Sequence, residues 1–282
     1  MTFTHYKPDV WAAAFIVQMR KQLVYAGPQI VNHDYEGDIQ EAGDTVHISG
    51  MGAVTVGDYT GTVSYQDVPD TGTVLVIDQQ KYFGVNVKDV DKAQALNGGA
   101  AVAQIMQNAA FALSDTADQF VANKYTEISA GNVLPAVTDL TTDKGTAYDT
   151  LVDLGVLLDE ANVPSEGRYA VVPPWYHGIL RKDPNFINAE KSGSTAPLLN
   201  GQVGEAAGFA ILRSNNVPQL SAGSTYVVQA GTPMALSFAN QLVENEALRH
   251  PTAFTDQLRG LHVYGGKLVY PDGNACVTVT RP

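Results

Sequence analysis

The sequence offers few residues whose types and spacing are typical of a catalytic or metal site. It has no G-x-S-x-G elbow, no P-loop and no H-E-x-x-H motif. The single cysteine, Cys276, cannot form an internal disulfide or a four-cysteine zinc site. The histidines lie in unrelated segments without the spacing of metal ligands: His5, His33, His47, His177, His250 and His262. We therefore predict no catalytic residue, no cofactor and no metal.

Two pairs of carboxylates require a choice between a site and a structural role. Asp89 and Asp91 could form half of a metal site, but the favoured interpretation places them at a helix N-terminus, where the helix dipole stabilises carboxylates. Asp115 and Asp118 lie one turn apart on the polar side of a predicted helix, which predicts a solvated face.

A further charged segment precedes the last part of the chain. Glu244 and Glu246 come shortly before the sequence Arg249-His250-Pro251. This pattern predicts a charged loop that forms salt bridges rather than a catalytic loop.

Composition limits the classes of protein that remain. The chain has 282 residues, a net charge of −12 and a charged fraction of 16%, against a usual value of about 25%. Low surface charge suits a subunit that buries much of its surface against neighbours. The acidic balance argues against a protein that grips nucleic acid, but it allows a container wall that encloses it. We find no signal-peptide pattern and no apolar run near the ~18 residues of a membrane span.

The most prominent element is a long predicted helix over residues 102–128. Its apolar residues recur in steps of three and four, and the predicted length is about 40 Å. Asn97-Gly98-Gly99 should end a shorter lead-in helix, and Gly131 with Pro135 should end the long one. The same periodicity would fit a core helix of an enzyme. The apolar stripe consists of Val102, Ile105, Met106, Ala109, Leu113, Ala117, Phe120, Val121, Tyr125 and Ile128.

A strand-rich segment precedes this helix. Residues 45–48, 53–59, 72–77 and 82–87 favour strands, and the polar residues 59–71 form the tip of a long hairpin. A hairpin without a hydrophobic face is unstable alone in water, so it must lie on its own chain or on another subunit. A helix with aromatic residues is also expected in the N-terminal arm, beginning at Pro8 and ending at Gly27-Pro28, and it too could pack on its own chain or on a neighbour.

The second half of the sequence predicts a compact α/β lobe followed by returning strands. Helices are expected at 148–161 and 175–180, with buried strands at 168–172 and 209–212. Further strands are expected at 226–228, 234–236, 258–264, 267–270 and 276–280. The predicted division is an N-terminal arm (1–38), an extended loop with its flanking strands (39–87), a spine helix (88–135), an axial domain (136–225) and returning strands (226–282).

This order of elements resembles the major capsid proteins of tailed bacteriophages. The resemblance covers nearly the whole chain and rests on structural signatures. These are DYEGDI at 34–39 with GDTV at 43–46, IDQ at 77–79 with YF at 82–83, GRYAVVPPWY at 167–176, RHPTAF at 249–254 and DQLRG at 256–260.

The resemblance implies an α+β capsid fold with an N-terminal arm, an extended β-hairpin loop, a peripheral domain with a long spine helix, and an α/β axial domain. It implies a non-enzymatic subunit that assembles with itself into hexamers and pentamers and encloses double-stranded DNA without reading its sequence. Assembly is expected in the host bacterial cytoplasm and the product in the virion, without a membrane. Scaffolding, portal and decoration proteins would be separate partners. Contacts between subunits are expected at Trp11, Phe15, Tyr59, Tyr65, Arg249 and His250.

Two other functions stay open at this point. An encapsulin-type nanocompartment would share the fold but hold an enzyme, and a groove for a cargo peptide would identify it. A hydrolase or sugar-binding protein would place its site in the α/β lobe, and a saturable small ligand would identify that.

Overall fold

The structure, a computed structural model, describes residues 23–34, 45–48, 54–56, 58–59, 61, 63, 65–68, 72–88, 98–138, 140, 146–182, 204–221 and 224–282. Over these residues it is a mixed α+β fold with three β-sheets, three α-helices and short 3₁₀ turns. None of the helices in this part of the chain has the length and apolarity to span a membrane.

The long helix, α1, spans Gly98–Ala122 and contains 25 residues, which gives a length of about 37 Å. Ala109, Leu113, Ala117 and Val121 recur every fourth residue and are all buried. They form the stripe expected of a helix that packs on one side only, so the predicted spine helix is confirmed.

The end of α1 differs from the prediction, which extended the helix to Ile128. The α-helix stops at Ala122, and Asn123–Glu127 continues as a 3₁₀ turn. The side chain of Gln229 donates a hydrogen bond of 2.7 Å to the carbonyl oxygen of Ala122. The carbonyl group at the end of the helix therefore bonds to a residue of a distant strand. A local signal such as Gly131 does not show this contact.

A three-stranded antiparallel sheet lies beside α1. It contains β3 (Gln79–Lys88), β10 (Leu236–Arg249) and β11 (Thr255–Leu268), in the order β10-β11-β3. The predicted salt bridges of the charged segment are present, between Arg249 and Asp256 and between Arg259 and Glu246. The predicted loop is wrong for Glu244 and Glu246, because both residues pair with β11 inside a long strand. A bulge between Leu242 and Glu244 shifts the register there.

The two strands predicted at 258–264 and 267–270 are one continuous strand. Gly265 and Gly266 lie inside β11, paired with Ala239 and Phe238. Both glycines pair with β10, so the strand continues through them. Because they have no side chain, other elements can come close to the sheet there. The strand predicted at 234–236 also differs, because it begins at Leu236 and continues to Arg249.

The two faces of β11 pack against different elements. On one face, Tyr264 makes an edge-to-face contact with Phe120 of α1 at a ring-centroid distance of 5.3 Å. On the other face, Val263 joins a small core with β1 (Thr45–Ile48) and β2 (Thr73–Val76). Strands β1 and β2 pair antiparallel, with Thr45 opposite Val76, as the predicted hairpin requires at its base. The strand predicted over 53–59 is not seen at 54–56 or 58–59.

The remaining strands form a seven-stranded mixed sheet. Six of them run in the order β4-β12-β9-β5-β7-β6, and β8 pairs with β9. The bounds are β4 Val133–Val137, β5 Tyr169–Val172, β6 Glu205–Ala206, β7 Phe209–Arg213, β8 Gln219–Ser221, β9 Thr225–Gly231 and β12 Asn274–Thr280.

Two helices accompany this sheet: α2 (Thr146–Glu160) and α3 (Pro174–Lys182). Leu151, Leu154 and Leu158 of α2 are fully buried in a core with Phe209 and Val277. The predicted helices at 148–161 and 175–180 and the buried strands at 168–172 and 209–212 are therefore confirmed within a few residues.

Gly265 is a close-packing position. A methyl group there would overlap the carbonyl oxygen of Val76 and lie 2.9 Å from the Cα of Ile77, both backbone atoms. We expect Gly265→Ala to separate the hairpin base from β11 and to lower the free energy of unfolding by about 1–3 kcal/mol. Urea unfolding of the purified protein measures this loss.

Gly84 of β3 provides the matched control, because a methyl group there would have no neighbour within 4 Å. An unfolding midpoint for Gly265→Ala equal to that of Gly84→Ala would contradict this account of the packing.

Candidate functional site

The extended hairpin exposes apolar side chains along its described length. Its base buries Leu75 and Ile77 against the three-stranded sheet. Beyond the base, Val56 is 93% exposed, Tyr59 76% and Tyr65 95%. The hydroxyl of Tyr59 donates a long hydrogen bond of 3.4 Å to the carbonyl oxygen of Gly61, within the hairpin itself. Large apolar groups left in solvent on one element indicate a contact surface for another molecule.

The turn that joins β10 to β11 is a second exposed surface. The Arg249 guanidinium lies 2.8 Å from the Asp256 carboxylate across the ladder. His250 Nδ1 accepts hydrogen bonds from the backbone N–H groups of Thr252 and Ala253, at 3.2 and 3.0 Å. Phe254, at the end of the turn, is 82% exposed. The side chains of Arg249 and His250 thus shape a turn that presents an aromatic ring to solvent.

The buried carboxylate of Asp118 fixes the position of the N-terminal segment. One of its oxygens accepts hydrogen bonds from the N–H groups of Val24 and Ala26, at 2.9 and 3.1 Å. The other accepts one from the Asn216 side-chain amide at 2.7 Å, and the same amide lies 2.9 Å from Asp115. The prediction of a solvated face is therefore wrong for Asp118, which is 0% exposed. Its partners are backbone donors and an amide far away in sequence.

The structure does not unite the predicted contact residues in one pocket. Tyr59 and Tyr65 lie on the hairpin, whereas Arg249 and His250 lie at the turn of the β10-β11 ribbon. Trp11 and Phe15 lie outside the described residues, as do Asp89 and Asp91. The predicted contacts therefore fall on separate extensions of the chain, which is the arrangement expected of a surface for assembly and not of an active site.

Sequence reasoning missed exposed residues on the three-stranded sheet. Tyr82 of β3 is 81% exposed, and Leu248 of β10 is 42% exposed. Tyr82, Gly84, Leu248 and Leu258 are among the residues that line a shallow concave surface with a volume of about 520 Å³. In the sequence, Tyr82 fits the alternation of side chains along a strand. That alternation does not show which face of the three-stranded sheet is exposed to solvent.

Burial and hydrogen bonds shift the pKa values of Cys276, His262 and Glu127. Burial raises the pKa of the Cys276 thiol to about 11, so the thiol is not reactive at neutral pH. Burial lowers the pKa of His262. Burial acts to raise the pKa of Glu127, but hydrogen bonds from Lys124, Lys267 and the Leu268 N–H outweigh it, so its pKa lies below the ordinary value of 4.5. No three His, Cys, Asp or Glu side chains in the described ranges are grouped to hold a metal ion.

The comparisons with known proteins agree with this picture. The model of the phage capsid protein family matches residues 71–279. The chain belongs to the phage capsid protein family. No match was found among the curated proteins.

Several solved structures are similar to this capsid protein over almost its whole length. A chain from Mycobacterium phage Che8 is 31% identical, with a TM-score of 0.79, and 98% of each chain is covered. A chain from the capsid structure of cyanophage P-SCSP1u is 18% identical, with a TM-score of 0.73, covering 96% of this chain and 92% of that one. A chain from the mature capsid of bacteriophage PhiM1 is 16% identical, with a TM-score of 0.66 and coverage of 96% and 92%.

The family membership gives the capsid protein a structural role and places it in the virion shell. The expected α+β capsid fold is confirmed by the mixed sheets, the long helix and the similarity to these structures. The exposed hairpin and turn are then surfaces of a shell subunit.

Asp118 should be essential to the stability of the unassembled capsid protein. Asp118→Ala leaves the N–H groups of Val24 and Ala26 without their acceptor. Each buried donor so orphaned costs about 1–3 kcal/mol. Chemical denaturation should therefore show a large loss of stability. Asp153→Ala, at an exposed position of α2, is the control and should change stability by less than about 0.5 kcal/mol. Equal midpoints for the two variants would contradict this role.

Glu127 should make stability depend on pH. Because its pKa in the folded state lies below the ordinary value, its stabilisation is present above that value and is lost as the pH falls through the folded pKa. We expect Glu127→Gln to cost about 1 kcal/mol at neutral pH, since the group is partly exposed. The difference from the wild type should shrink below the ordinary carboxyl pKa. Glu166→Gln, at an exposed position, should show no such difference, and a pH-independent cost at Glu127 would contradict the ion-pair account.

Proposed function

We propose that this capsid protein is the major shell subunit of a tailed-phage head, assembling into hexamers and pentamers that enclose double-stranded DNA. The observation that carries the proposal is the exposed hairpin on a chain that belongs to the phage capsid family. Its base is packed on β11, yet Tyr59 and Tyr65 remain in solvent. Such groups need a partner surface, and a second copy of the chain supplies one in a closed shell.

The contacts between subunits are assigned to the extensions of the chain. The hairpin would lie over an adjacent subunit through Tyr59 and Tyr65, and the turn with Arg249 and His250 would meet a further neighbour. Trp11 and Phe15 would contribute from the N-terminal arm, whose exit from the body is held by Asp118. Contacts on extensions can adjust between five- and six-fold positions while the packed body stays the same.

The acidic balance of the chain supports the container role. A net charge of −12 disfavours tight binding of phosphates, so the wall would enclose DNA without holding it in place. We place assembly in the host bacterial cytoplasm, with scaffolding, portal and decoration proteins as separate partners. A nanocompartment would share the fold, but the match to the phage capsid family favours a phage head.

Removing the hairpin tip should block assembly while leaving the subunit folded. We expect deletion of residues 59–71 to give a soluble protein that forms no closed shells, because the described residues of this segment make no contact with the core clusters. Negative-stain electron microscopy over a concentration series, with and without a candidate scaffolding protein, measures this. Normal shells from the deletion variant would refute the role of the hairpin.

A finer test uses side chains alone. Tyr59→Ser with Tyr65→Ser should reduce shell formation, because both rings lose an apolar contact that exists only in the assembly. Tyr270→Ser is the control, since Tyr270 is also exposed, at 59%, but follows β11 and is not part of the hairpin. Equal assembly by the two proteins would show that the hairpin rings are not at a contact.

A further inference from the structure

A small cavity lies between the long helix, the N-terminal segment and the three-stranded sheet. Its volume is about 300 Å³. Its polar lining consists of Ser114 and Asp118 of α1, Asn240 of β10 and His262 of β11, and the N-terminal segment around Gly27 forms another wall. The Asp118 carboxylate and the His262 imidazole therefore line the same small space, although they belong to different elements.

His262 lies on the face of β11 that packs against the long helix. Its ring centroid is 5.0 Å from that of Tyr264, which in turn contacts Phe120 of α1. The Nδ1 atom of His262 is buried and has no hydrogen-bond partner among the described residues. Burial lowers the pKa of the imidazole, so the ring is neutral at neutral pH. Acid therefore adds a positive charge to this partly closed space.

On the sheet, Lys81 and Tyr264 lie beside His262 and can affect its charge. Lys81 of β3 pairs directly with His262, so it lies on the same face of the sheet, where its side chain is exposed. Tyr264 keeps its proton, because burial and the Asp78 carboxylate raise the pKa of its hydroxyl. The residue that β10 adds to the polar lining is the uncharged Asn240. Among the described residues, the sheet thus contributes no anion to the lining of the cavity.

The long helix supplies the anion. One oxygen of Asp118 accepts two backbone N–H groups of the N-terminal segment, and the other accepts the Asn216 amide. Asp115 shares that amide but does not line the cavity. Tyr25 of the N-terminal segment is buried, which raises the pKa of its hydroxyl and keeps it neutral. Asp118 is therefore the anion that a positive His262 can attract across the cavity.

The N-terminal segment has room to shift beside these groups. A second cavity, of about 410 Å³, lies between the same segment and β7. The chain is fixed further on, because Asn32 exchanges backbone hydrogen bonds with Leu236 and Phe238 of β10. The residues before Asn32 thus have space on two sides, whereas Asn32 itself is held by the sheet.

We propose that His262 is an acid-sensitive switch for the attachment of the N-terminal segment to the long helix. A proton from solvent makes the imidazole positive, and the ring then attracts the Asp118 carboxylate across the cavity. This attraction weakens the hydrogen bonds from the N–H groups of Val24 and Ala26. The neutral ring leaves the carboxylate to these two donors. The switch belongs to the single chain and does not depend on the proposed shell function.

The direction of the pH effect follows from the burial of His262. Because its pKa in the folded state lies below the ordinary value of 6.5, the attachment is fully stable above that value. It loosens as the pH falls below 6.5 towards the folded pKa, since the detached state binds the proton more readily. The Glu127 effect described above begins only below the ordinary carboxyl value of 4.5, so the two effects occupy different pH ranges.

Amide hydrogen exchange at Val24 and Ala26 measures the attachment directly. We expect their protection, relative to an unstructured peptide at the same pH, to fall about three- to tenfold between about pH 7.5 and about pH 5.5. In His262→Gln, which cannot take up a proton at this position, the protection should not change. Amides of the buried helix positions Leu154 and Leu158 are the internal reference and should stay protected at both pH values.

His47→Gln is the matched control, because His47 is exposed on β1 and does not line the cavity. It should lose protection as the wild type does. An equal loss in His262→Gln and the wild type would overturn the switch, and so would unchanged protection in the wild type. If His262→Gln does not fold at neutral pH, His262→Phe replaces it, since that variant keeps a ring beside Tyr264. Exchange is measured within one chain, so either result leaves the shell function to its own assembly test.

Discussion

The buried carboxylate of Asp118 is the interaction on which the arrangement of the chain depends. It lies on the long helix, yet its hydrogen bonds go to the N-terminal segment at Val24 and Ala26 and to Asn216 between β7 and β8. A charged group with no solvent exposure is stable only when such donors surround it. The three segments are thus held together by one side chain.

The close approach at Gly265 has a related consequence for the hairpin. Its base is pressed against the backbone of β11, where no side chain fits, and it buries Leu75 and Ile77 in a small core. The hairpin then carries exposed tyrosines and valines that have no packing partner in the described part of the subunit. A stable body with unsatisfied extensions is what assembly from identical copies requires.

The sequence was sufficient for elements whose signals are local. The period of four in Ala109, Leu113, Ala117 and Val121 predicts the spine helix, and the apolar run in β5 predicts a buried strand. It was insufficient where the structure of a residue depends on contacts with residues far away in the sequence. Gln229 donates a hydrogen bond to the carbonyl oxygen of Ala122, where the α-helix ends, and Glu246 lies in a strand with Arg259 opposite it. Asp118 looked solvated because its donors are more than 90 residues away.

The strength expected of the hairpin contact fits the assembly of a closed shell. Under the proposed function, a contact made by a few exposed side chains of the hairpin, such as Tyr59 and Tyr65, would be weak and could open again. A subunit bound in the wrong place could then leave before the shell closes. Once the shell is closed, each subunit is held through several neighbours at the same time, and the weak contacts act together. Stronger single contacts would instead retain such errors.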